Sequence, residues 1–383
     1  MKAKAVALIL GLVLALPGWV SAQEYRIGAV FSITGPGSSL GIPERDTALM
    51  LEAEVNAKGG IAGPDGKRHP VKVIIYDDGS DETKAVLAAK KLIEEDRVST
   101  IVGTTLSGTS LAILDTIQKA QIPLVSCAAA IKIVEPVQER KWVFKTPQSD
   151  FLIIGVLTEH LKAKGLTRVG WLHVDYAFGD LGWIEFQKAA PKAGLQIVAS
   201  EKFGQRDVDM TPQLTRVKAA NPQAVVVWSI PPSASIATKN YYDLGIKAPL
   251  FQSHGIGNKT YINLAGPGAN GVVFPVGKLL VAEQLSDTDP QKPVLLAYAK
   301  AFEAKYGPRN TFGGHAWDAL QLVFRAMEKT GPDRAGIREA IENTRNFVGI
   351  TGVFDFSPKD HNGLDQRAVT MVQIVEGQWR LAK

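Results

Sequence analysis

Val102-Gly103-Thr104-Thr105-Leu106-Ser107-Gly108-Thr109-Ser110 leaves a short β-branched run, Thr100 to Val102, and enters a segment in which Ala112, Ile113 and Ile117 recur at helical spacing. A joint rich in glycine and hydroxyl residues between an apolar strand and an amphipathic helix is the strand-to-helix turn of an open parallel sheet. In such sheets ligands lie in the crevice beyond the carboxyl ends of the strands, where a helix N-terminus offers unpaired amides to an anion. Ser107, with the amides of Gly108, Thr109 and Ser110, is therefore a candidate to hold a carboxylate without a formal cation. The same residues also suit plain helix capping by Ser or Thr. A second joint, Ser126-Cys127-Ala128-Ala129-Ala130, follows the next strand and can bring small residues to the same crevice.

Working outward, strand-helix alternation holds on both sides of this segment. The strands expected in the first part are Arg26 to Phe31, Val71 to Tyr76, Thr100 to Val102, Pro123 to Ser126 and Val143 to Lys145. One helix is expected from about Pro43 to Lys58, stopped by Gly59-Gly60, and another from about Glu82 to Glu95, with Asp81 as its N-cap. The pattern restarts after Ser149 with a helix from Phe151 to Lys164 and apolar runs Val169 to His173, Leu195 to Ala199, Ala224 to Trp228 and Leu250 to Gln252. Beyond Phe274 it turns helical, through Pro293 to Tyr306, His315 to Lys329 and Arg334 to Thr344. Strand-like runs return at Val353 to Phe356 and Val369 to Val375.

The fold class is therefore α/β, with two doubly wound parallel-sheet lobes joined by a multi-strand hinge. A chain of 383 residues exceeds what one core usually supports. Without a low-complexity linker, the chain is expected to change lobes in short extended segments near Lys145 to Ser149, Phe274 to Gly277 and Gly349 to Gly352. That assigns 23–146 and 275–349 to lobe 1, and 147–274 and 350–383 to lobe 2.

At the N-terminus, Lys2 and Lys4 precede an apolar run from Ala5 to Leu16, then Pro17, Gly18 and Val20-Ser21-Ala22. This reads as a cleavable signal peptide, residues 1–22, because the run is shorter than the roughly 20 residues that span a bilayer and small side chains sit at the cleavage point. Removing it lowers the formal net charge from +5 to +3. That balance, with basic residues scattered among acids, excludes a polyanionic partner such as nucleic acid. The single cysteine, Cys127, cannot form an internal disulfide, and its small-residue neighbours suit a buried thiol rather than a nucleophile.

No motif carries catalysis or a cofactor. Gly266-Pro267-Gly268-Ala269-Asn270-Gly271 fits G-x-G-x-x-G, but it precedes the strand-like Val272-Val273-Phe274 instead of following a strand, so it reads as a turn. The six histidines, His69, His160, His173, His254, His315 and His361, show no metal-ligand spacing. No G-x-S-x-G elbow or phosphate-binding loop is present. The chain is read as a non-enzyme with no metal and no cofactor.

Several stretches together resemble a family. They are Ile27-Gly28-Ala29-Val30 with Thr34-Gly35-Pro36 and Gly41, Asn56-Ala57-Lys58-Gly59-Gly60-Ile61, and Tyr76-Asp77-Asp78 with Ala85 and Ala89. Val102-Gly103 with Ser107, Ile122-Pro123-Leu124 with Ala128-Ala129, and Phe178-Gly179 continue the pattern. The chain resembles the branched-chain amino acid (Leu/Ile/Val) binding proteins, periplasmic components of ABC importers. The resemblance implies a type I periplasmic binding protein fold and a monomer that closes its two lobes on a solute. Its partner would then be an ABC permease in the inner membrane.

In that family the ligand's carboxylate is held by the hydroxyl at the Ser107 position and by neighbouring amides, and this half survives. The ammonium half does not, since Ala130 stands where a threonine is usual and His254 where an acid is usual. A buried ammonium would lack its counter-charge. A frequent tyrosine aligns with Leu40, and another becomes Phe178, so the pocket reads as more apolar. Trp228 suits a pocket wall or the core. His254 suits a partner for a ligand carboxylate or ring hydroxyl, or a loop residue with no role.

The expected ligand is a small carboxylate with an apolar or aromatic body, touching Ser107, Gly108, Thr109, Ala128, Ala129, Ala130, Leu40, Phe178, Trp228 and His254. Branched-chain amino acids or amides are the alternatives, and a ligand-sensing periplasmic receptor is an alternative role. A secreted hydrolase would need a nucleophile motif that the chain lacks.

Overall fold

The computed structural model describes residues 23–382. The expected signal peptide lies outside them.

The first sheet has five strands in the spatial order Val71–Asp77, Tyr25–Phe31, Thr100–Gly103, Leu124–Ser126 and Val143–Lys145, all parallel. These strands are short, β-branched and largely buried, as befits a parallel sheet covered on both faces. Asp81 caps the helix Glu82–Glu94, accepting from the Lys84 amide at 2.8 Å. Helix Ser38–Ala57 begins five residues before the expected start at Pro43. Proline is a common first helical residue, but here a further turn precedes it and buries Leu40 and Gly41. Helix Thr311–Thr330 likewise gains a turn over the expected start at His315, because Asn310 caps it by accepting from the Gly313 amide at 2.9 Å. Its Ala316, Ala319, Leu320, Val323 and Met327 join Ile27, Ala29, Val73 and Phe144 in the first lobe's core.

The second sheet has seven strands in the order Gln196–Phe203, Arg168–Val174, Ala224–Trp228, Leu250–Gln252, Val273–Val276, Thr370–Val375 and Gln378–Leu381. The first five are parallel and the last two antiparallel, joined through Glu376-Gly377 with φ of 50° and 71°. Two successive positive φ values are the mark of a type I′ hairpin. The final strand was not expected from sequence, since Glu-Gly is a weaker hairpin signal than Asn-Gly or Asp-Gly. Gly266–Ala269 is a 3-10 turn leading to the strand Val273–Val276, not a phosphate-binding loop.

Three passages join the sheets. The first follows Lys145 and the second follows Val276. After the third expected passage at Gly349 to Gly352, however, the chain remains with the first sheet. Phe354 and Phe356 stack 5.4 Å apart, and Phe356 meets Phe144 edge-on at 5.8 Å. The second sheet is joined only at Thr370. Apolar spacing alone made Val353 to Phe356 look like a strand of the second lobe. Gln148 draws the passages together: its Nε2 donates to Thr351 O at 2.9 Å and Ala368 O at 3.0 Å, and it lies against Gly277.

In each sheet the chain adds its second strand on one side of the first and its third strand on the other. This reversal opens a crevice beyond the strand ends. In the first sheet it lies beyond Phe31 and Gly103, and in the second beyond Val174 and Trp228. The two crevices share one cavity.

Candidate functional site

The cavity encloses about 510 Å³ of empty space, its open mouth included. Leu40, Thr105, Leu106, Ser107, Cys127 and Ala129 line it from the first lobe, and Val174, Tyr176, Phe178, Gln205, Ile230, His254 and Gly255 from the second. Pro147, at the first passage, and Phe312 and His315, on the helix Thr311–Thr330, complete the wall. Among these residues there is no Asp, Glu, Lys or Arg.

Each lining segment sits where strand chemistry places it. Ser107, 3% exposed, opens the helix Ser107–Ala120, and its Oγ accepts from the Ala130 amide at 3.4 Å, tying the two small-residue joints together. Thr105 Oγ1 accepts from the Ser32 amide at 2.9 Å and donates to Glu44 Oε2, so protein groups already engage it. Burial holds the Glu44 carboxyl well above the usual carboxylate range. Burial also pushes the Cys127 thiol well up, which keeps it protonated and poorly nucleophilic.

On the second lobe, Ser253 fixes the turn His254–Ile256 by donating to Ser229 O at 2.8 Å and accepting from the Gly255 amide at 3.2 Å. That turn holds His254, 4% exposed, edge-on to Phe178 at 5.5 Å and to Trp228 at 5.7 Å. Burial, with the Lys145 charge second, pushes His254 down to about 3. His315, also 4% exposed, is held well below the usual histidine range by burial, then by His254 and Lys145. Both imidazoles are therefore neutral at pH 7. Lys145 Nζ is itself buried and donates to Pro147 O at 2.6 Å.

Of the ten candidate residues, Leu40, Ser107, Ala129, Phe178 and His254 line the cavity, and the other five stand behind it. The Gly108 amide, expected to face a ligand, donates to Tyr176 Oη of the opposite lobe at 3.1 Å. Thr109 Oγ1 turns inward to Thr104 Oγ1 at 2.6 Å and Leu106 O at 3.0 Å, and the Ser110 amide closes the first helical turn on Leu106 O at 2.9 Å. The Ala128 amide donates to Ser126 Oγ at 3.1 Å, and the Ala130 amide is the one held by Ser107. Trp228 is wholly buried, stacks on Trp171 and Phe178 at 5.6 Å each, and donates from Nε1 to Phe178 O at 3.1 Å. It supports the wall from behind.

Tyr176 and Ile230 follow the ends of the strands Arg168–Val174 and Ala224–Trp228 directly, so the strand-end rule that singled out Ser107 also reaches them. Phe312 and His315 carry no such signal, because a helix distant in sequence delivers them. His254 and His315 looked dispersed in sequence and meet at one cavity. Among the described residues no cluster of three or more His, Cys, Asp or Glu could hold a metal.

A family model described as periplasmic binding protein matches residues 24–378. The leucine-, isoleucine-, valine-, threonine- and alanine-binding protein of Pseudomonas aeruginosa is 24% identical over 346 residues, covering 89% of this chain and 87% of its own. An extracellular ligand-binding receptor of Rhodopseudomonas palustris HaA2 superposes with a TM-score of 0.87 at 30% identity, over 94% of this chain and 99% of that one. A solute-binding protein of an ABC transporter from R. palustris, in complex with benzoate, superposes with a TM-score of 0.80 at 21% identity, over 94% and 95%.

Proposed function

This chain belongs to the periplasmic binding protein family, and on that premise we propose that it is the solute-binding component of an ABC importer whose ligand is a small carboxylate with an apolar or aromatic body. A cleavable signal peptide exports it to the periplasm, where it acts as a monomer. The lobes close on the solute about the three passages, and an inner-membrane permease receives the closed form. Closure requires only that the solute bind the closed state more tightly than the open one.

The fold does not choose the solute. The Pseudomonas relative is named for five amino acids, and the R. palustris protein holds benzoate. What supports a carboxylate here is a wall that offers hydrogen-bond donors and no acid. No acidic side chain lines the cavity, so an α-ammonium group would be buried without a counter-charge at a cost of several kcal/mol. A carboxylate meets the Ser107 hydroxyl and the buried, unpartnered Gln205 Nε2, donors that need no formal cation. Leu40, Leu106, Phe178, Ile230 and Phe312 take the apolar body.

A thermal-shift panel tests this reading. Phenylalkanoates and branched aliphatic acids are expected to raise the melting temperature at concentrations where leucine, isoleucine and valine do not. A ligand at 100 times its Kd stabilises by about 2.7 kcal/mol. Stabilisation by the amino acids alone would overturn the carboxylate assignment.

A further inference from the structure

His254 comes from a turn of the second lobe and His315 from a helix packed on the first lobe's sheet, yet both line the same cavity. His254 Nδ1 and Nε2 and His315 Nδ1 are buried and have no partner among the described residues. His69 and His361 have both ring nitrogens bonded, to Gln23 O and Asp65 and to Val143 O and Glu342. His173 Nδ1 accepts from Trp171 Nε1, and its Nε2 lies 3.5 Å from Asp180 Oδ1. More than about nine in ten buried polar groups in proteins are satisfied. Three unpaired nitrogens on two side chains at one cavity therefore point to a ligand group.

A neutral imidazole carries one N–H and one lone pair. His254, with both nitrogens free, needs a partner that accepts and a partner that donates. A carboxylate only accepts, and would leave a lone pair facing an anion. An ammonium only donates. A hydroxyl does both, so it can accept from one imidazole while donating to the other, engaging one nitrogen of each ring.

Resting on the carboxylate reading above, we propose that the solute is a hydroxy acid, its carboxylate held elsewhere on the wall and its hydroxyl received by His254 and His315. His315 is then a specificity residue, since a site built to bond a hydroxyl discriminates against the analogue that lacks one far more strongly than an apolar wall does.

Calorimetric titration of the full mature chain with 3-phenylpropanoate and its three ring-hydroxylated isomers tests the proposal, repeated with His315→Phe and His254→Leu. At least one hydroxylated isomer is expected to bind about tenfold or more tighter than the parent acid. Either substitution should abolish that gain, so that within each variant no hydroxylated isomer binds more tightly than the parent acid. Equal or weaker binding of every hydroxylated isomer overturns the hydroxyl site alone, as does a gain that survives both substitutions. No binding by any of the four acids overturns this inference, whereas the carboxylate reading falls only if the wider panel of phenylalkanoates and branched aliphatic acids is silent as well. Unchanged melting temperatures of the unliganded variants separate loss of the subsite from loss of the fold.

Discussion

Tyr176 Oη, just before the helix Ala177–Lys192 of the second lobe, accepts a hydrogen bond from the Gly108 amide in the first turn of the helix Ser107–Ala120 of the first lobe, at 3.1 Å. The bond spans the cleft, so it exists only when the lobes are together. It also gives an otherwise free helix-terminal amide a partner. A methyl group on Gly108 would stand 2.5 Å from Tyr176 Oη and close to Glu82 Oε1. Gly108 itself does not line the cavity.

Gly108→Ala is therefore expected to oppose closure without removing a ligand contact. Alanine is the better helix former by about 1 kcal/mol, so the unliganded variant should melt no lower than the unmodified protein. Affinity for every ligand should fall by about tenfold or more, and small-angle scattering at saturation should give a larger radius of gyration than that of the unmodified protein. Unaltered affinity and an identical scattering profile would show that the contact does not hold the closed state.

Ser107→Ala removes a hydroxyl that lines the cavity and accepts from the Ala130 amide. Binding of a carboxylic acid should weaken by about 1–3 kcal/mol, about fivefold to over a hundredfold, the range for a charged acceptor deprived of its donor. A titration in which the acid binds Ser107→Ala as tightly as the unmodified protein would place the carboxylate elsewhere.

How far the sequence foretells this site depends on which face of each element decides the matter. Alternating apolar runs outlined both sheets, and residues at strand ends, Ser107, Ala129, Phe178 and His254, do face the cavity. Trp228 does not, because the strand Ala224–Trp228 is buried throughout and offers no polar alternation to show which way its last side chain points. Gly108 was read as a ligand contact because helix termini attract anions; that Tyr176 would come across the cleft to meet it depends on how the lobes pack. His315 was legible only as one histidine among six, since the turn capped by Asn310 that carries it to the cavity lies far along the chain from either crevice.

The neutral state of His254 has a consequence for stability. Its folded value is pushed down to about 3 from an ordinary 6.5, by burial first and the Lys145 charge second. Between those values the folded chain binds fewer protons at this site than the unfolded chain. The contribution is thus fully present above pH 6.5 and is lost as pH falls toward 3, at about 1.4 kcal/mol per pH unit. Other buried groups titrate too, so the observable is the difference between the unmodified protein and His254→Leu. From pH 6 to pH 5 the unmodified protein should lose about 1 kcal/mol more unfolding free energy than the variant, as measured by urea denaturation. A difference that does not change with pH would show that this imidazole protonates as freely in the folded chain as in the unfolded one.

The central claim, that this cleft takes an acid and lacks a place for an ammonium, is tested most directly by titrating the mature protein calorimetrically with leucine, isoleucine, valine and a set of phenylalkanoic and branched aliphatic acids, alongside His254→Glu. The unmodified protein is expected to bind at least one acid more tightly than any of the three amino acids. His254→Glu, which restores a counter-charge for an ammonium, should shift that preference toward the amino acids. Tight binding of a branched-chain amino acid by the unmodified protein, with no detectable binding of any acid, would contradict the account of the ligand.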